Sequence, residues 1–161
     1  MFRNILVAVN GSRHGDRALS EAIELATANN GRLTILTAVP KVPGWTTTPM
    51  TVATAQVVAA DLERDSVELL ERAVALVPAT VPVLKILSHE PVRHALRRRL
   101  RCGEHDLLVM GSRGRGAVSA SLLGSVSHYA LNHSPVAVLI VHDDAVGQDA
   151  AISATRDLVE L

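Results

Sequence analysis

The residues of this chain best placed to do chemistry lie at 110–126, "MGSRGRGAVSASLLGSV", where four glycines and four serines directly follow the apolar run "DLLVM". Glycine lacks a Cβ, so a stretch of this kind lets backbone N–H groups close around an anion without steric obstruction. A phosphate suits such backbone well when a helix follows, because the first N–H groups of a helix are unpaired and its dipole is positive there. Three glycine arrangements solve this problem. The Gly-Lys-Ser/Thr phosphate loop does not fit, since the only lysines, Lys41 and Lys85, lie far from the segment. The dinucleotide fingerprint asks for three glycines opening the first strand-to-helix crossover, with an acidic residue about 20 positions on. Here Gly114-x-Gly116 runs on to Ser119 and follows a late strand, a poor fit. What remains is Gly111-x-x-Gly114, nine residues, then Gly124-Ser125. The plain alternative is a connection that only needs flexible turns.

Other candidate chemistry is thinner. Ser112, Ser119, Ser121 and Ser125 are possible nucleophiles by type, yet Gly-x-Ser-x-Gly does not occur and no Ser-His-Asp arrangement is recognisable around them. The seven histidines are scattered. His128 and His133 are five apart, not the three or four that stack on one helix face, and no cysteine or carboxylate cluster joins them, so no metal site is expected. Cys102 ends an apolar helix face beside Gly103, where buried packing is expected over a reactive thiol. Arg93, Arg97, Arg98, Arg99 and Arg101 crowd the run "RHALRRRLR". With no aromatic stacking partners in that run and acidic faces elsewhere to balance it, a solvated helix face is expected, and no nucleic-acid partner.

The elements that must position the glycine segment come from a chain of 161 residues, enough for one domain that hides roughly 70% of its unfolded surface. Hydrophobic residues are 48% of the total, but only one Phe, one Tyr and one Trp occur, so the core must be Val, Leu, Ile and Ala. That composition suits a parallel sheet buried on both faces. Lys plus Arg and Asp plus Glu both number 16, leaving no global field to attract nucleic acid or an acidic membrane. The single cysteine forms no internal disulfide and fits a reducing compartment, so the cytoplasm is the expected location. The first apolar run is bounded by polar residues and lacks a small-residue cleavage site, and no apolar stretch approaches the roughly 20 residues that span a bilayer. A soluble protein is expected.

"NILVAV" at 4–9 predicts a first strand, ended by Asn10-Gly11-Ser12, a cluster that favours turns and helix caps. Ala18, Leu19, Ala22, Ile23 and Ala26 then recur at helical spacing until Asn30-Gly31. "RLTILTAV" at 32–39 predicts a second strand, and the proline- and threonine-rich stretch after it a loop over 40–54. From about 55 to 77, Val58, Leu62, Leu69, Ala73 and Leu76 line one side of a helix, with Glu63, Arg64, Glu68, Glu71 and Arg72 on the other. "VPVLKIL" predicts a third strand, at a sheet edge because Pro82 cannot donate to a ladder. Pro91 opens a helix whose Val92, Ala95, Leu96 and Leu100 point inward. "DLLVM" is the fourth strand, 122–133 the last main helix, and "VAVLIV" at 136–141 the fifth strand. This alternation predicts one α/β domain, a parallel five-stranded sheet with helices on both faces. The tail at 143–161 is open to a terminal helix, a docking segment or a frayed end.

The spaced signature Gly111-x-x-Gly114 … Gly124-Ser125, with "DLLVM" before it and "SVS" after it, resembles the nucleotide-binding signature of the universal stress protein family. The opening strand is similar to the family's "ILVAVDGS", and "SPVAVLIV" closes the domain where members do, so the resemblance covers roughly residues 2–142. It implies a Rossmann-like open sheet in the order 3-2-1-4-5, with the ligand at the reversal point between strands one and four. Carried over by position, the adenine and ribose side falls at Ala8, Asn10 and Ala38, with Met110 at the end of strand four. The phosphates fall at Gly111, Gly114, Gly124, Ser125 and Val126, and further at Ser112, Arg113, Arg115 and Ser127. The residue chemistry agrees, since Ser125 brings a hydroxyl donor and the last helix begins near Gly124. The ligand implied is ATP, acting in regulation, with hydrolysis at most slow. A family member with an empty pocket, acting as an adaptor, is the alternative. The resemblance also implies a homodimer through 136–141 and a protein partner it does not name. Many nucleotide-binding members carry aspartate where this chain has Asn10, which leaves magnesium open. Asn10 itself suits a turn or capping role as well as ligand contact.

Overall fold

The computed structural model describes residues 1–41, 49–114 and 123–143. The five strands are β1 (Asn4–Ala8), β2 (Arg32–Ala38), β3 (Val83–Ser88), β4 (Leu107–Gly111) and β5 (Ala137–Val141). The helices are α1 (Arg13–Ala28), α2 (Pro49–Ala75), α3 (Val92–Arg101) and α4 (Ser125–His133). All strand pairs are parallel, as the alternation of elements predicts, and their order β3-β2-β1-β4-β5 is the one the resemblance implies. The chain winds outward from β1 to β3, then crosses to β4 and β5, so β1 and β4 are neighbours whose following connections diverge.

Alternation along the strands separates two cores. Ile5, Val7, Leu33, Ile35, Leu107 and Val109 pack with Ala18, Leu19, Ala22 and Ala26 of α1 and Leu70 and Ala73 of α2. Leu6, Leu36, Leu108 and Met110 point through the other face, onto Ala95, Leu96 and Leu100 of α3 and Ala130 of α4. Each such aliphatic side chain, fully buried, contributes about 1.5–3 kcal/mol. Because every central strand is covered twice, β1, β2 and β4 are almost wholly apolar inside, and Thr34 of β2 is buried with its hydroxyl 3.0 Å from His105 Nε2. β1 is anchored at its start by the Asp106 carboxylate, which accepts from the backbone N–H groups of Arg3 at 2.9 Å and Asn4 at 3.0 Å.

α1 begins where the sequence places its cap. The Ser12 hydroxyl accepts from the Gly15 N–H at 3.1 Å, and at the far end Asn30 takes a positive φ of 48° that stops the helix. Four expectations are corrected. The loop expected over 40–54 ends earlier, because α2 starts at Pro49: proline suits a first helical turn, and the alanine-rich residues after it sustain the helix. Residues 42–48 of that loop lie outside the described residues. Val58 and Leu76 were expected on the buried side of this helix but are 41% and 67% exposed. At 27 residues α2 is about 40 Å long, whereas β2, at 7 residues, is about 23 Å, so its ends overhang the sheet and Leu76 lies past its last residue. Cys102 is exposed rather than packed, since α3 has ended at Arg101 and the chain turns away through Gly103. The Cys102 thiol donates to the Arg98 carbonyl at 3.2 Å.

The arginine run forms an exposed face as expected, apart from half-buried Arg99. Aromatic contact is nevertheless present: the Arg93 guanidinium lies 5.5 Å from the centre of the Tyr129 ring and donates to the Ser125 carbonyl at 3.2 Å, joining α3 to α4. Among the described residues no helix is long and apolar enough to cross a membrane, and no group of three His, Cys, Asp or Glu is placed to hold a metal. The tail beyond Asp143 lies outside the described residues.

Candidate functional site

The β1–β4 crossing is built by close backbone approach. Ala8 and Met110 are register partners at the carboxyl ends of their strands. Beyond Ala8 the chain turns through Gly11, φ 67°, into α1, and the Asn10 Oδ1 accepts from the Ser12 N–H at 3.1 Å and from the Ser12 hydroxyl at 2.7 Å. That turn tucks the first residues of α1 against the end of β4. A Cβ at Gly111 would stand 2.6 Å from the His14 carbonyl carbon, so only glycine lets helix and strand meet here.

After β4 the loop returns to the same place. The Gly124 N–H donates to the Ser112 carbonyl at 2.7 Å, and the Ser112 N–H donates to the Val141 carbonyl at 2.8 Å. The Ser127 hydroxyl donates to the carbonyls of Gly111 at 2.8 Å and Ser112 at 3.2 Å, fastening α4 onto the end of β4. Gly124 is the N-cap of α4 and has no side chain to occupy the first N–H groups, which stay open toward the crossing. Near β5, the Asp143 N–H donates to His14 Nδ1 at 2.9 Å, and Arg13 pairs with the Asp143 carboxylate at 3.0 Å.

These elements enclose a cavity of about 760 Å³. Ala8, Asn10, Ala38 and Met110, expected on the base and ribose side, all line it. Gly111, Arg113, Gly114, Gly124, Ser125, Val126 and Ser127 line the opposite part. Ser112 does not: it is wholly buried, its hydroxyl without a partner among the described residues. Arg115 lies outside the described residues. Ser127 reaches the cavity wall, but its hydroxyl is committed to the backbone carbonyls.

Sequence reasoning missed Val9 after β1, Val39, Pro40 and Lys41 after β2, Pro91 and Val92 at the start of α3, and Leu123 before α4, which complete the described wall. Lys41 had a usable signal, since the strand order puts the end of β2 beside the end of β1. Pro91 and Val92 had none, because nothing in their spacing tells how far α3 leans over the sheet. The result is an apolar slot of Ala, Val, Met and Pro side chains next to Gly111, Gly114 and Gly124, the open first N–H groups of α4 and the cations Lys41 and Arg113. Such a place fits a flat, apolar ring joined to an anionic group.

At the other end of the sheet a cleft of about 330 Å³ is lined by Arg32, Thr34, Glu104 and His105 among others. His105 is buried, with Nε2 3.0 Å from the Thr34 hydroxyl. Burial pushes its imidazole below the ordinary 6.5, and the Arg99 backbone and the Glu104 carboxylate pull more weakly the other way.

Comparison with known proteins places the whole arrangement. Residues 1–142 match the Universal stress protein family. A universal stress protein of Thermus aquaticus is 34% identical over 142 residues, covering 88% of this chain and 99% of its own. The crystal structure of a universal stress protein family member from Burkholderia pseudomallei superimposes with a TM-score of 0.64 at 26% identity, covering 85% of this chain and 93% of that one. A universal stress protein solved in complex with cAMP superimposes with a TM-score of 0.53 at 27% identity, over 88% of this chain and 97% of that one.

Proposed function

The chain belongs to the universal stress protein family, and from that premise we propose that it binds an adenine nucleotide, ATP in the first instance, in the cavity at the β1–β4 crossing. The observation that carries this reading is the convergence of an apolar slot, three glycines and the uncapped first turn of α4 in one cavity at the reversal point of a parallel sheet. The related protein solved with cAMP supports an adenine ring as the apolar part. Adenine lies between Ala8, Ala38 and Met110, and the phosphates lie against Gly111, Gly114, Gly124 and the first turn of α4.

The bound nucleotide acts as a regulator. It fixes the loop between Gly114 and Gly124 and so sets the surface that a protein partner meets. The reading needs no catalysis, and among the described residues no carboxylate lines the cavity to orient a water for phosphoryl transfer. The protein works as a homodimer joined through β5.

Thermal unfolding with and without ATP tests the reading. A ligand present at about 100 times its Kd stabilises by about 2.7 kcal/mol, or about 5–11 °C in Tm for a chain of this size. Gly124→Ala is expected to abolish the shift. Its Cβ would meet the Ser112 carbonyl at 3.4 Å, an ordinary contact, so the fold is kept while the cradle is filled. No shift in the wild type would point instead to an adaptor with an empty pocket. Turnover beyond one ATP per chain, lost in Gly114→Ala, would make the protein a slow hydrolase.

A further inference from the structure

The side-chain amide of Asn10 has a settled orientation. A backbone N–H can only donate, so the Asn10 atom 3.1 Å from the Ser12 nitrogen is the acceptor Oδ1. The Ser12 hydroxyl donates to the same oxygen at 2.7 Å. Both lone pairs of Oδ1 are therefore used inside the β1–α1 turn. The NH2 end faces the first glycines of the loop, where a Cβ on Gly114 would stand 3.1 Å from Nδ2. Asn10 is exposed on the cavity wall, and Nδ2 has no acceptor among the described residues. An amide nitrogen offers hydrogens to an oxygen and nothing to a cation.

The rest of the donor set points the same way. Among the described residues the charged ones lining the cavity are Lys41 and Arg113, with no Asp or Glu. Glu90, next to Pro91 on the wall, pairs with Arg98 at 3.6 Å, and Asp143 pairs with Arg13 at 3.0 Å. Asp16 sits in the first turn of α1 but does not line the cavity. Magnesium takes oxygen ligands and is usually held by one or two carboxylates together with the substrate's phosphates. The residues at this site do not fit that ion.

We propose that this site takes its adenine nucleotide as the metal-free anion, and that Asn10 sets the preference. The charge that magnesium would neutralise is met by Lys41, Arg113 and the open N–H groups of α4, while Asn10 Nδ2 donates to an acceptor oxygen of the ligand at the Gly114 end. The inference rests on the nucleotide reading above, and one experiment separates the two.

Titration calorimetry of the full chain with ATP would be run in excess EDTA and in excess magnesium chloride, on wild type and Asn10→Asp. The wild type is expected to bind at least as tightly in EDTA. Asn10→Asp replaces a donor with a carboxylate oxygen facing the phosphates, so it should bind about 10–100-fold more weakly in EDTA and recover with magnesium. A wild type that tightens tenfold or more with magnesium overturns the inference and leaves the nucleotide reading standing. Wild-type silence in both buffers overturns both. A variant that binds like wild type in both buffers removes the role from Asn10. The two wild-type titrations decide the metal question even where the variant fails to fold.

Discussion

At the scale of single residues, His105 shows what burial does to a titratable group and gives a measurable consequence. Its imidazole is buried, with Nε2 3.0 Å from the Thr34 hydroxyl. Desolvation is the largest influence, the Arg99 and Arg32 charges push the same way, and the Arg99 backbone and the Glu104 carboxylate oppose it more weakly. A histidine whose folded-state pKa is lowered takes up its proton first in the unfolded chain. The stability it brings is therefore present above 6.5 and lost as pH falls from there toward the lower folded value. Melting temperature measured from pH 7.5 down to 5.5 should fall, and His105→Gln, which cannot titrate, should flatten that slope. An unchanged slope in the variant would assign the pH dependence elsewhere. Which residues reach the cavity was legible for those fixed by glycine spacing or strand ends, such as Ala8, Gly111 and Gly124. It failed for Ser112 and Cys102, because a side chain's direction depends on where its element stops, and a two-residue difference in a boundary turns it from pocket to core or from core to solvent. Ser127 does line the cavity, but only the folded backbone shows that its hydroxyl is taken up by two carbonyls.

At the scale of elements, the strand-to-helix turns do two jobs that mutation can pull apart. Gly111 and Gly124 belong to one motif, yet a methyl group meets different surroundings at each. At Gly111 it would press to 2.6–2.8 Å on His14, mostly on backbone that cannot swing away, whereas at Gly124 the nearest atom is 3.4 Å distant. Gly111→Ala should therefore cost about 1–3 kcal/mol of stability, about 2–12 °C in Tm, by forcing α1 off β4. Gly124→Ala should leave the ligand-free Tm nearly unchanged and affect only binding. Scanning calorimetry of the two variants without ligand checks this, and equal losses would refute the distinction. Ser12→Ala should remove the α1 cap for about 1 kcal/mol and also free Asn10 Oδ1 of one partner. The identity and order of the elements were readable because each strand is a short branched apolar run and each helix but one has a clear stop. The exception, α2, begins inside a proline- and threonine-rich stretch, where composition argued for a loop while Pro49 and the alanines after it were compatible with a helix. Local propensity near such a boundary is weak, and packing of the later turns, Leu69, Leu70 and Ala73, decides how far the helix extends.

At the scale of the molecule, the sheet has two edges, and they are not alike. β3 carries Lys85, which pairs with Glu71 of α2, and is preceded by Pro82. A charge and a proline are devices that keep an edge from pairing with another chain. β5 reads "AVLIV" without a charge, and its Ala137 and Leu139 are exposed, Leu139 by 37%. Leu131, on the α4 helix that packs beside β5, is 47% exposed as well. An uncharged apolar edge left open invites pairing with a second copy, and the two-fold arrangement of such a pair would bury the same residues from both chains. Light scattering on a sizing column should therefore give the mass of a dimer at micromolar concentration. Leu139→Lys, which puts a charge into that edge, should shift it to monomer with the fold intact by circular dichroism. If the wild type runs as a monomer, β5 does not pair. If the dimer survives Leu139→Lys, the contact lies on another surface, and the exposed Val57 and Val58 of α2 become the residues to change next. The outcome bears on the nucleotide site, because β5 leads through Val141 to the Ser112 N–H that it holds, and through Asp143 to His14. A pairing that stiffens β5 would stiffen the floor of the cavity, so the monomeric variant should also bind ATP more weakly than the dimer.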